Sequence, residues 1–376
     1  MTANPQQLSS CHSYFDKNVT NLVKGIMLIL MFLHHFFQLS GLFAKNVSNP
    51  RLEWIMPYRL KICVAGFAFL TGYFFSSRNH NYHYSIKKII QIIIPYWCIF
   101  IPYYALALTT QTIDFSFSNF ILEFFCIHRS VMIFCWYVLF YIETMLILPL
   151  IKPQGSRIYH IAIIILCIFL PRFICNFTFS HFQQYPMIET ILYYIEIDQF
   201  AEYFPFIIIG YATAHFAIFE YFDSLLLNIN SRQLSIIIYT FLIIVMFYYQ
   251  ATLYSLHSSF YLIRVIIRSL KVLSILFFMY GLINILKLIS NHPFTKPLAS
   301  LGKYSLLMWF VHCLFFNITR EYTQKILYFP NNAFFILIWG LFLCYILALA
   351  FDFFNHFIFK MIDKFYPLHF NQSSKI

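Results

Sequence analysis

Residues 19–43 read VTNLVKGIMLILMFLHHFFQLSGLF, a bilayer-length apolar run with Lys24 near its start and His34-His35 in its interior. A helix needs about 20 predominantly apolar residues to cross a hydrocarbon core, so this stretch predicts a membrane-spanning helix. Ionisable groups at membrane depth are costly and mark candidate functional sites. Lys24 and His35 are eleven residues apart. In an α-helix that is roughly 1100° of rotation, about 20° from eclipsed, and about 16 Å of rise. They share one face, from which His34 points away. A cation at the membrane boundary with an imidazole about half a bilayer deeper is suited to holding a substrate.

The rest of the chain has the composition of a polytopic membrane protein. Of its 376 residues, 61% are hydrophobic, 22% aromatic and 10% charged, against about 45–50% apolar and about 25% charged in soluble domains. The net charge of +11 is spread as single Lys and Arg residues between apolar runs. Such scatter reflects loop anchoring and the positive-inside bias, and excludes a nucleic-acid partner. The nine cysteines show no CxxC or paired spacing, so neither a disulfide framework nor a metal site is expected. The first eighteen residues are polar and predict no cleavable signal peptide.

Ten spans are predicted in one all-α bundle, near residues 19–43, 59–77, 89–110, 131–151, 157–175, 203–219, 234–251, 270–289, 303–319 and 333–358. Arg264 and Arg268 blur the boundary between the seventh and eighth. Phe117 to Ile127 is apolar but too short to cross, and is read as interfacial or packed on the bundle. With the N-terminus inside, the inner connections hold fourteen Lys and Arg and the outer ones ten, Lys271 falling within a span. This bias favours cytoplasmic termini. Residues 1–18 and 359–376 then flank a transmembrane unit of residues 19–358. The longest outer loop, Asn176 to Glu202, carries Glu189, Glu196, Asp198 and Glu202.

His35 is the leading candidate for chemistry, as a general base toward a hydroxyl or as a transient nucleophile. The structural alternative is a buried histidine satisfied by a neighbouring helix. Lys24 either snorkels to headgroups or binds the phosphates of an anionic donor as a point charge. His34 is read as pocket-lining or structural, and Gln38 as a group that could orient His35. Lys87 and Lys88, at the start of the third span, are cytoplasmic anchors or a phosphate site at a helix N-terminus. Thr71 lies among Gly66 and Gly72, a pattern that permits close helix packing. In the fourth span Trp136-Tyr137 is followed by Glu143, which must pair with a cation or hold its proton. It supports His35 or a structural cation. His312 lies mid-span after Lys303, and Asp352 in the tenth span is read as a helix-pairing acid.

Four segments together resemble the membrane acyltransferase-3 family of bacterial carbohydrate O-acyltransferases. They are Lys24-Gly25-Ile26 through His34-His35; Phe67-Ala68-Phe69-Leu70-Thr71-Gly72-Tyr73; Trp136-Tyr137-Val138-Leu139-Phe140-Tyr141 with Leu148-Pro149-Leu150; and Leu301-Gly302-Lys303-Tyr304-Ser305 with His312. They occur in the family's order at compatible spacing, and spans five to eight carry no motif. Three departures stand out: Lys24 replaces the usual arginine, Thr71 replaces serine, and Gln91 replaces a basic residue before the third span. A lysine meets a phosphate, but not bidentately.

The resemblance implies an integral-membrane O-acyltransferase of the bacterial inner membrane. It would move an acyl group, acetyl by default, from cytoplasmic acyl-CoA to a hydroxyl of a surface glycan or exopolysaccharide. Lys24, Lys87 and Lys88 would engage the CoA phosphates, with His35 and Glu143 catalytic. His34, Thr71, Trp136 and His312 would line or order the pocket. The implied partners are membrane lipids and a carbohydrate acceptor, with polysaccharide-biosynthesis proteins or a second copy of the chain as candidates. The alternative is a glycan or glycolipid transporter, because intramembrane His and Glu also serve proton relays.

Overall fold

The structure is a computed structural model, and it describes residues 14–36, 60–77, 81–128, 130–151, 155–182, 185, 197–226, 232–255, 261–315, 320–330 and 332–365. Gln38, Glu189 and Glu196 lie outside these residues. Among the described residues the chain is all-helical, with fourteen α-helices. These are α1 Lys17–His34, α2 Ile62–Ser76, α3 Tyr82–Thr109, α4 Phe117–Phe124, α5 Trp136–Ile147, α6 Arg157–Phe182 and α7 Ile197–His215. There follow α8 Ile218–Leu226, α9 Arg232–Ser255, α10 Tyr261–Ile289, α11 Thr295–Lys303, α12 Ser305–His312, α13 Arg320–Leu327 and α14 Ala333–Phe365. Short 3₁₀ turns flank α5 at Ile133–Cys135 and Leu148–Leu150 and follow α12 at Cys313–Phe315.

A helix or bent helix pair stands over each of the ten predicted spans, making this a multi-pass membrane protein. By length and hydropathy five helices qualify outright among the described residues, or seven if each bent pair counts as one span. The pairs are α7–α8, bent by 63°, and α11–α12, bent by 68°. That count covers the described residues, which leave out residues 37–43 of the first predicted span and 316–319 of the ninth. Helix α1 is continuous but opens with the polar residues Lys17, Asn18, Asn21 and Lys24, and α2 has only 15 residues. Helix α10 starts nine residues before its predicted span and takes in Arg264 and Arg268; arginine is a good helix former, so charge alone does not end a helix. The short apolar stretch forms the eight-residue α4, which stacks Phe120 and Phe124 on Phe100, Tyr104 and Trp97 of α3.

Two close helix crossings set the frame. A β-carbon on Gly72 of α2 would overlap the Ile207 carbonyl of α7, and one on Gly210 of α7 would overlap the Phe69 carbonyl. The same reciprocity joins α1 to α11, where Gly25 faces Leu298 and Gly302 faces the Asn21 carbonyl. Small residues let membrane helices gain dispersion contact that lipid cannot supply. Gly72→Val is therefore expected to destabilise the fold by about 1–3 kcal/mol through overpacking, read as an earlier thermal unfolding midpoint in detergent.

Helix α1 is also fixed at its start. Asp16 caps it by accepting from the Val19 N–H at 2.7 Å, which satisfies one of the unpaired amides of the first turn. Just before it, the Tyr14 hydroxyl donates to Asp223 of α8 and lies 3.0 Å from the Phe219 carbonyl, while Tyr280 of α10 donates to Asp223 at 2.7 Å.

Glu202 corrects one expectation. It is not a loop residue but lies in α7, where it pairs with Arg172 of α6 and with Lys271 of α10 at 2.7 Å. Charge favours a loop in isolation, but opposite charges from three helices remove the cost of placing any one of them inside.

Candidate active site

Helices α1, α2, α3, α5, α11, α12 and α14 enclose a cavity of about 1060 Å³. Lys24 and His35 both line it, as their shared face predicts. Directly after α1, His35 and Phe36 take π-type winding, a local widening that often marks functional positions. Lys17, Lys88 and Lys303 add three cations to the wall, with Asp16 and Asp352 as acids. Lys88 donates to Gln91 at 2.8 Å, and Lys303 donates to the Tyr304 hydroxyl at 2.9 Å.

His35 is one half of a close histidine pair at the cavity wall. Its Nδ1 lies 2.7 Å from Nε2 of His312, which is fully buried at the end of α12. The other nitrogen of His312, Nδ1, bonds the Trp309 carbonyl. A carbonyl can only accept, so His312 carries its proton on Nδ1 and presents Nε2 as an acceptor. His35 must then donate from Nδ1, which makes Nε2 its basic nitrogen. The two rings are tilted by only 11°, and Phe134 stacks on His35 with centroids 4.1 Å apart and planes 13° apart. The imidazole is thus held in one tautomer and one orientation.

Thr71 and Trp136 line the cavity with Tyr137. Thr71 donates back to the Phe67 carbonyl at 3.0 Å and stands in hydrogen-bonding reach of Tyr137. The kink that makes room for this wall is the α11–α12 break at Tyr304, inside the Leu301–Ser305 segment.

Other candidates fall elsewhere. His34 is buried beside His35 with ring centroids 5.3 Å apart, but does not line the cavity. Lys87 and Glu143 are also outside the cavity wall, and the partner of His35 Nδ1 is His312. His312 orders His35 from behind and does not line the pocket itself. The sequence reading does not assign Phe134, Lys17, Asn355 or His356 to the site, names Tyr137 only within its Trp136-Tyr137 segment, and favours a structural role for Asp352. A signal for the α14 group was present: Asp352, Asn355, His356 and Phe359 recur at one helix-face spacing, and all four line the cavity.

Comparison with curated proteins gives no match, and comparison with solved structures gives none. The profile of an acyltransferase domain matches residues 19–351, from the start of α1 through most of α14. That range contains the His35–His312 pair, Thr71, Trp136 and the broken helix that carries Lys303. A half-buried imidazole with a fixed tautomer thus lines a cavity that also carries cations, and the chain belongs to the acyltransferase 3 family.

Proposed function

We propose that this membrane acyltransferase takes an acyl group, acetyl by default, from cytoplasmic acyl-CoA and transfers it to a hydroxyl of a bacterial cell-surface glycan. The observation that carries this reading is the Trp309–His312–His35 chain. It leaves a basic Nε2 on a residue of the cavity wall and places a second imidazole behind it to stabilise the cation that forms. General-base catalysis of this kind contributes about 10²–10⁴ in rate.

In the proposed step, His35 Nε2 takes the proton of the acceptor hydroxyl as its oxygen attacks the thioester carbonyl. The tetrahedral intermediate collapses, the C–S bond breaks, and the proton on His35 passes to the departing thiolate. The products are an ester and a thiol. Lys24, Lys88, Lys17 and Lys303 line the same cavity and would hold the donor phosphates. Each lysine is a point charge without a bidentate fork, so their contributions are spread. Lys24→Ala is expected to raise the donor KM by about tenfold, equal to about 1.4 kcal/mol, with kcat changed less than threefold. Steady-state kinetics with varied donor checks it.

The test of the function uses purified protein, isotope-labelled acetyl-CoA and an extract of surface glycan from the host. Labelled ester on the glycan is the expected result. No thioester consumption with acetyl, succinyl or longer acyl-CoA would overturn the reading and favour a transporter.

A further inference from the structure

Asn355 lies on α14, lines the cavity and is 4% exposed. Neither its Nδ2 nor its Oδ1 has a hydrogen-bond partner. Among the described residues it is the one cavity-lining side chain with buried polar atoms left in that state. An amide that is both buried and unpaired is unfavourable unless a ligand completes it. The terminal torsion of asparagine is broad, so its donor and acceptor can turn toward a molecule in the cavity.

Its place along the cavity says which part of a donor it would meet. Gly340, also on α14, packs against the ring of Phe36 next to His35. Asn355 is fifteen residues further along the same helix, about 22 Å of rise. The amide-containing arm of CoA, from sulfur to the first phosphate, is equivalent to about four peptide units, or about 15 Å when extended. A thioester carbonyl at His35 would therefore leave both arm amides short of Asn355. Beyond the arm come the phosphates and the base. Asp352 stands near enough to Lys303 to interact electrostatically, and Phe359 lines the cavity one turn beyond Asn355.

Resting on the acyl-CoA reading above, we propose that Asn355 is the base-recognition residue of the donor. Its Oδ1 accepts from the exocyclic amino group of the adenine and its Nδ2–H donates to N7, the ring nitrogen on the imidazole side of that group. Paired donor and acceptor atoms on an asparagine amide match an adenine edge in this way, and Phe359 supplies a stacking surface for the ring. Adenine is thereby distinguished from bases that carry a carbonyl at that position.

The experiment compares purified wild type and Asn355→Leu with two donors, acetyl-CoA and acetyl-pantetheine, the second lacking nucleotide and base. Asn355→Leu is expected to raise the KM for acetyl-CoA by about tenfold and to leave acetyl-pantetheine turnover unchanged, which also shows that the variant is folded. A third donor, acetyl-CoA with hypoxanthine in place of adenine, is expected to be used about tenfold less well by wild type. Asn355→Leu should use it and acetyl-CoA alike. Equal losses on acetyl-CoA and acetyl-pantetheine would overturn base recognition, and so would no loss on either. If wild type consumes no thioester at all, the acyl-CoA reading itself has failed.

Discussion

His35→Ala is expected to lower acyl transfer by about 10²–10⁴ while leaving the donor dissociation constant within about twofold. The split follows from where the residue sits. His35 lines the same cavity as Lys24 but lies about 16 Å of helix rise from it, so under the proposed function it would act on the reacting centre and not on the phosphates. His312 provides the sharper check, because it holds His35 from behind through the 2.7 Å bond without lining the cavity. His312→Ala removes that acceptor and allows His35 to adopt the other tautomer, with an expected fall in kcat of about 10² and little change in donor KM. His312→Gln is expected to recover part of the rate, because its amide oxygen can still accept from Nδ1–H of His35. Rates from single-turnover assays with labelled donor decide the matter. A His35→Ala protein with unreduced kcat would remove His35 from catalysis, and a His312→Gln protein no better than His312→Ala would remove the tautomer argument.

Glu202→Gln is expected to cost about 3 kcal/mol of stability, the lower end of what breaking a buried ion pair costs. The lower end applies because the Glu202 side chain keeps 22% exposure, against 9% for Arg172 and 12% for Lys271. The cost arises from what remains: two cations on α6 and α10, facing each other without the carboxylate that reconciles them. Glu202→Gln combined with Lys271→Met removes one of those cations and is expected to recover part of the loss. Thermal unfolding in detergent reads both variants. A midpoint unchanged by Glu202→Gln would mean the triad adds nothing to the bundle. Since none of its members lines the cavity, activity per folded molecule should hold in both variants.

Much of the site was legible because its leading residues are local to one helix. Lys24 and His35 share a face by helical period alone, and the structure places both in the cavity wall. Thr71 and Trp136 lie in short segments whose composition stands out from the surrounding apolar helix. Glu143 and Lys87 drew attention for the same reason, a charge in or beside an apolar run, yet the helices turn them away from the cavity wall. Charge at membrane depth signals that a partner exists without naming it. Asn355 escaped notice for the opposite reason: an uncharged amide in a 33-residue apolar helix raises no electrostatic flag, and its lack of partners is visible only once its neighbours are known.

Composition and hydrophobic period by themselves determined that the protein is a helical membrane bundle, where most helices lie, and that α1 carries a cation and an imidazole on one face. Those properties depend on nearest neighbours in the chain, because in a membrane each helix satisfies its own backbone hydrogen bonds. Tertiary structure alone decided which helices meet: α1 on α11 through Gly25 and Gly302, and α2 on α7 through Gly72 and Gly210. It also brought His312 to His35 across 277 residues of chain, and drew Arg172, Glu202 and Lys271 into one cluster. Such pairings depend on side-chain volume and helix crossing geometry, which no local pattern of residues encodes.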